Sequence, residues 1–191
     1  MSGLRIIAGS MKGRVIPFDN RKFDNADITP QKVKGAIFSM IGEWLHGKGF
    51  LDLYAGSGQI GMEALSRGAN PVAFNEADIR RFLFIESSLQ NLGIVSGVEM
   101  LNLPAVKALE MLHDRNHAFD YIFLDPPYVK LKETTEEYHE IIEKIGEYGV
   151  LASGGEIIIQ HFSSNIISKE VGPYQIKTIK KYGRTSLSVY G

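Results

Sequence analysis

Asp125-Pro126-Pro127-Tyr128 combines a carboxylate, two prolines with no N–H between them, and an aromatic face. Tyr121 to Leu124, just before it, reads as a strand. Proline fixes its own backbone and donates no ladder hydrogen bond, so the chain must leave its sheet here in a set, extended shape. These groups suit a particular nucleophile. An amine on an aromatic base reacts poorly because its lone pair is delocalised into the ring. The Asp125 carboxylate and the Pro126 carbonyl can accept its two N–H bonds and turn the lone pair toward an electrophile. Asp125 can also help remove the proton that is released. Tyr128 offers a π face for an extruded base. A merely rigid loop packed by its tyrosine would have the same composition, and only the order of motifs along the chain separates the two.

A second cluster lies upstream. Leu51-Asp52-Leu53-Tyr54-Ala55-Gly56-Ser57-Gly58-Gln59-Ile60-Gly61 reads as a strand, a glycine turn and the start of a helix. Gly56, Gly58 and Gly61 match the dinucleotide fingerprint. Glu76 follows at the end of the next strand, where a carboxylate can hold two ribose hydroxyls. Nicotinamide binding is therefore one reading. Asp52 favours another. A dinucleotide loop offers helix N–H groups to a pyrophosphate, which a carboxylate would oppose. S-adenosylmethionine has no phosphate but carries a sulfonium and an α-ammonium, and Asp52 suits those charges. The expected cofactor wall is Asp52, Tyr54, Gly56, Ser57, Gly58, Glu76, Ala105 and Asp125, with Asp125, Pro126 and Tyr128 as the catalytic set.

The elements that must position these residues can be read from periodicity. From residue 49 onward, strands alternate with helices: 50–55, helix 61–67, 72–75, helix 79–92, 98–103, helix 105–113, 121–124, helix 135–148, 156–161. That alternation predicts a parallel sheet covered on both faces. The tail, 174–181 and 185–190 around Tyr182-Gly183-Arg184, reads as an antiparallel hairpin. Residues 4–18 read as another hairpin. Thr29-Pro30 reads as a cap with proline at the first helical position, ahead of a helix whose apolar residues run from Val33 to Trp44. The expected fold is a class I methyltransferase, Rossmann-like, with a seven-stranded, mostly parallel sheet. Residues 1–48 form a hairpin-and-helix extension and 49–191 the methyltransferase domain. Ligands of such sheets bind beyond the carboxyl ends of the strands, where both motifs fall.

Composition narrows the chemistry. The 191 residues include no cysteine, which excludes disulfides, thiol nucleophiles and iron–sulfur clusters. His46, His113, His117, His139 and His161 show no metal-ligand spacing, so no metal is expected, although His161 follows a strand and could face the site. Trp44 and the phenylalanines are expected in the core. No apolar run is long enough to span a bilayer and no signal peptide is evident, so the expected location is cytoplasmic, with no membrane partner. The net charge is −1, unevenly spread. Residues 1–48 hold eight Lys/Arg against four acids, and 169–191 five against one, while the centre is acidic. Two basic ends suit a polyanion. Arg5, Lys12, Arg14 and Lys34 at one end, and Lys180, Lys181 and Arg184 at the other, are the candidate cations for that polyanion; an ordinary fluctuation of surface charge along the chain is the alternative.

The tetrapeptide resembles the D/N-P-P-Y/F signature of amino-group methyltransferases. Arg5-Ile-Ile-Ala-Gly9, Lys12-Gly-Arg14, Leu51 to Ala69, Phe123 to Tyr128, Gly154-Gly155 and Tyr182-Gly-Arg-Thr-Ser-Leu-Ser188 together resemble the bacterial RsmD-type enzymes. The resemblance implies methyl transfer from S-adenosylmethionine to guanine N2 in small-subunit (16S) ribosomal RNA. It also implies a partly assembled subunit as partner. A DNA adenine N6 methyltransferase and a non-catalytic RNA-binding assembly factor are the alternatives. The chain departs from the family pattern twice. Asp27-Ile28-Thr29-Pro30 stands where an Arg-Pro-Thr is usual, leaving Lys32 or Lys34 to supply the cation. Pro104 stands where an Asp usually meets the adenine, leaving the backbone of Leu103 and Ala105 to frame that ring.

Overall fold

A computed structural model describes residues 3–23, 28–126 and 136–191. Its central sheet is ordered β5-β4-β3-β6-β7-β10-β9-β8. The strands are β3 (Phe50–Asp52), β4 (Val72–Asn75), β5 (Val98–Leu101), β6 (Phe119–Leu124), β7 (Leu151–Phe162), β8 (Glu170–Val171), β9 (Tyr174–Tyr182) and β10 (Thr185–Tyr190). The pairs β3–β4, β4–β5, β3–β6 and β6–β7 are parallel, whereas β10 runs antiparallel to both β7 and β9. A separate two-stranded ribbon pairs β1 (Leu4–Arg5) with β2 (Val15–Ile16). The helices are α1 (Gln31–Ile41), α2 (Gln59–Ser66), α3 (Ile79–Leu92), α4 (Ala105–Asp114) and α5 (Glu136–Tyr148). This is the expected α/β architecture, with the two-residue β8 added at the edge.

Alternation along the strands builds two apolar layers. Phe50, Phe74, Phe123 and Ile158 point to one face, where α1, α2, α3 and the β1–β2 ribbon cover them. Leu51, Ala73, Ile122, Leu124, Ile157 and Ile159 point to the other, under α4 and α5. Local signals set the helix ends. Asp78 caps α3 by accepting from Arg80 N (2.8 Å) and Arg81 N (3.4 Å), and Gly93 closes it at φ 79°.

Three expectations change. Thr29 makes no capping bond; α1 begins at Gln31, with Pro30 just before it rather than inside it. The helix stops at Ile41 because Gly42 takes φ 111°, so Trp44 lies beyond it, 56% exposed, and is not a core residue. The strand expected at 156–161 starts at Leu151 and runs through Gly154-Gly155.

Candidate functional site

The carboxyl ends of β3, β4, β6 and β7 border one cavity of about 490 Å³, a size suited to a small ligand. Asp52 ends β3. The chain then turns through Gly56 (φ 55°) and Gly58 (φ 72°), left-handed conformations that favour glycine. Asp52 Oδ2 accepts from Gly61 N at 2.9 Å, within the first turn of α2. An N–H that a phosphate would need is thus already held by a carboxylate. That geometry opposes the dinucleotide reading.

Asp52 Oδ1 is buried and has no hydrogen-bond partner among the described residues. Burial is the main reason the Asp52 carboxyl is pushed up to about 7; the Gly61 N–H works against the shift, and the charges of Asp125 and Glu76 add to it. An ammonium group beside Oδ1 would relieve both the missing bond and the cost of ionisation. Glu76, at the end of β4, accepts from Gly56 N (2.7 Å) through Oε2 and from Asp78 N (2.9 Å) through Oε1. Each oxygen keeps a second lone pair for a hydroxyl donor. Asp52, Tyr54, Gly56, Ser57, Glu76, Ala105 and Asp125 all line the cavity. Gly58 does not; a Cβ there would press on Ile85 and Met62, so it serves the turn and its packing. Burial and the nearby Glu137 and Glu140 push the Tyr54 phenol upward, so it stays neutral. Leu103 also borders the cavity, but its N–H is already given to Asn75 Oδ1 (3.3 Å), and Pro104 has none.

Asp125 follows β6, the strand paired with β3, and Pro126 lines the cavity beside it. Asp125 Oδ2 accepts from Gln160 Nε2 at 2.8 Å and from Thr29 Oγ1 at 3.4 Å. Tyr128 lies outside the described residues. Gln160 and His161, just before the last residue of β7, also border the cavity. His161 is committed elsewhere: Nδ1 meets the Phe162 carbonyl (2.9 Å) and Nε2 meets Ser188 Oγ (2.8 Å), while burial lowers its pKa.

The cations divide. Arg5, Lys12, Arg14, Lys180, Lys181 and Arg184 are exposed, and Arg184 reaches the cavity wall. Lys34 is a correction. It sits on the inner stripe of α1 with Val33, Ile37 and Phe38, fully buried. Its Nζ donates to the Arg5 carbonyl (2.6 Å) and lies 3.4 Å from Glu63 Oε2, so it cannot meet RNA. Lys180 and Lys181 pair with Leu187 and Ser186 on β10 and so point to opposite faces of the sheet. Lys180 shares the face of Leu187, which the β1–β2 ribbon also covers.

Sequence reasoning missed Thr29, Asn75, Arg81 and Gln160, all of which line the cavity. Gln160 is adjacent to the flagged His161, but its bond to Asp125 depends on the pairing of β6 with β7.

The chain matches the family model described as Conserved hypothetical protein 95 over residues 4–191. It is 33% identical over 187 residues to YlbH of Bacillus subtilis (strain 168), provisionally named an rRNA methyltransferase, with 98% of each chain covered. It is 36% identical over 126 residues to Ribosomal RNA small subunit methyltransferase D of Haemophilus influenzae, covering 65% of this chain and 64% of that one. A solved Haemophilus influenzae protein, provisionally named a methylase, superposes with a TM-score of 0.76 at 28% identity, covering 99% of this chain and 98% of that one.

Proposed function

The chain belongs to the RsmD-type family described as Conserved hypothetical protein 95, and from that premise we propose that it methylates the exocyclic N2 amine of a guanine in small-subunit (16S) ribosomal RNA, using S-adenosylmethionine. The substrate in this reading is a partly assembled subunit. The observation that carries it is one cavity with two differently equipped walls. One wall has an unpartnered carboxylate oxygen, on Asp52, and the Glu76 carboxylate. The other has the Asp125–Gln160 pair. The first suits a ligand with an ammonium and a diol; the second suits an amine nucleophile.

S-adenosylmethionine supplies an electrophilic methyl group on its sulfonium. In this reading Asp52 pairs with the ammonium, Glu76 takes the ribose hydroxyls, and Leu103 and Ala105 flank the adenine. Asp125 and the Pro126 carbonyl accept the two N–H bonds of the target amine and aim its lone pair. As the methyl–sulfur bond broke, leaving S-adenosylhomocysteine, the nitrogen would gain the methyl and give up one proton, which Asp125 would help pass to solvent. Tyr128 is assigned the stacking of the flipped base. Residues 1–48 and the β9–β10 hairpin form the RNA-facing surface, through Arg5, Lys12, Arg14, Lys180 and Arg184.

The test is incubation with labelled S-adenosylmethionine and small ribosomal subunits, naked rRNA or DNA, followed by digestion and identification of the labelled nucleoside. N2-methylguanosine from RNA is expected. Label in N6-methyladenine of DNA would make the chain a DNA enzyme. No label in any nucleic acid, with RNA still bound, would leave an assembly factor without catalysis.

A further inference from the structure

Gln160 is oriented by its partner. A carboxylate accepts but cannot donate, so the bond to Asp125 Oδ2 at 2.8 Å must come from the amide nitrogen. That assignment fixes the carbonyl atom, Oε1, on the other side of the amide. Oε1 is buried and has no partner among the described residues, although Gln160 lines the cavity beside Asp125 and Pro126. The cause is register. In the parallel pair β6–β7, Leu124 lies opposite Ile159, which brings the next residues, Asp125 and Gln160, side by side at the mouth of the sheet. The main chain of Gln160 is held as well, its carbonyl accepting from Tyr138 OH at 3.4 Å.

We propose that Gln160 is a specificity-determining residue that reads guanine by accepting its N1–H through Oε1. This inference rests on the reading of the protein as a base-amine methyltransferase. On its Watson–Crick edge guanine carries N1–H and the N2 amine side by side, two adjacent donors. Asp125 and Gln160 set two adjacent acceptors against them. Adenine presents its N6 amine next to N1, which is itself an acceptor. With adenine in the cavity, Oε1 would face a lone pair and stay unsatisfied, and the Asp125–Gln160 bond prevents the amide from flipping to donate instead. A site with buried polar groups rejects an analogue that leaves them unpaired far more strongly than it rejects one differing only in apolar bulk.

The experiment first maps the labelled position in small-subunit rRNA with the parent protein. The RNA is then rebuilt by ligation with guanine, 2,6-diaminopurine or adenine at that position. Diaminopurine keeps the 2-amine but has an acceptor at N1. The parent should prefer guanine over diaminopurine by at least on the order of 10²-fold in kcat/KM. Gln160→Leu should lower the rate on both, since Asp125 loses a donor, and should reduce the preference to within about 10-fold. A merely structural role would lower both rates and leave the ratio unchanged. If Gln160→Leu retains the parental ratio, or the parent shows no preference, the assignment of Oε1 is wrong while the methyltransferase reading stands. If the parent labels no guanine at all, that earlier reading is what fails. Calorimetric binding of S-adenosylhomocysteine by the variant shows that it is folded.

Discussion

Lowering the pH from about 8 to about 5 should weaken cofactor binding on the order of 100-fold through one carboxyl, Asp52. This group is buried, receives one N–H, from Gly61, and faces Asp125 and Glu76, which together place it at about 7 instead of 3.8. The raised value means that the folded protein without ligand holds this proton more tightly than the unfolded chain does. Its stability therefore declines as pH rises from about 4 toward about 7. A ligand whose ammonium pairs with ionised Asp52 reverses the preference, because it needs the proton gone. Its affinity should be flat above about pH 7 and fall about tenfold per unit below, or about 2.7 kcal/mol over two units. Calorimetric titration with S-adenosylhomocysteine, which carries the same ammonium, measures this directly. Run in two buffers of different ionisation enthalpy, it also counts the protons released: about one near pH 5.5 and none near pH 8. His161 borders the same cavity and titrates below its ordinary value, so Asp52→Asn is the control. It keeps the shape and should lose the slope. Parental affinity that is level between pH 5 and 7, or an Asn variant with the parental slope, would refute the role given to Asp52.

Asp125→Ala should largely keep its S-adenosylhomocysteine binding and lose about 10²–10⁴-fold in single-turnover methyl transfer; a folded variant at the parental rate would remove Asp125 from the chemistry. Glu63→Ala should destabilise by about 3–5 kcal/mol and lower Tm by on the order of 10 °C, because Lys34 and Arg67 are left as buried charges and Ile7 and Ala8 lose their acceptor. Differential scanning calorimetry reads the loss, and a shift of a degree or two would mean that the ion cluster relaxes into water. Lys180→Ala, on the ribbon-covered face, should reduce the log–log salt slope of RNA binding by about one, while Lys181→Ala should leave it unchanged. Equal effects from the two variants would show that the RNA wraps both faces.

What could be read from the chain alone was whatever is encoded within one element. Ile79 to Leu92 carries its own cap and stop, Asp78 and Gly93, and the helix has those bounds. Tyr121 to Leu124 is an apolar run ended by prolines, and the strand does end there. Both motifs lie at strand ends, so a parallel sheet was enough to bring them to one cavity. Misreadings came where a residue is defined by something distant. Lys34 looked like a surface cation because charge suggests exposure. Its neighbours Val33, Ile37 and Phe38 already marked the stripe as buried, but the carboxylate that makes burial tolerable, Glu63, belongs to another helix. Trp44 continued an apolar period across Gly42, whose positive φ breaks the helix.

Thr29 shows how these long-range contacts bear on the site. As a helix cap it would have concerned α1 alone. Instead its hydroxyl donates to Asp125, and its carbonyl accepts from Gln59 Nε2 at 3.1 Å, at the first residue of α2. One residue of the N-terminal extension therefore touches both motifs, the end of the glycine loop and the proline-bounded strand end. The same extension is fastened to the far part of α2. Glu63 accepts from Ile7 N and Ala8 N, and Ser66 Oγ donates to the Ala8 carbonyl at 2.5 Å. Ile7 and Ala8 at one end, and Thr29 at the other, thus hold α2 along its length, and α2 begins where the loop that borders the cavity stops. The extension is on this account a structural wall of the site as well as a carrier of cations. Asp52 and Asp125 follow paired strands, β3 and β6, so removing the extension should leave their spacing to the sheet but take the Thr29 hydroxyl from Asp125 and the Thr29 carbonyl from Gln59.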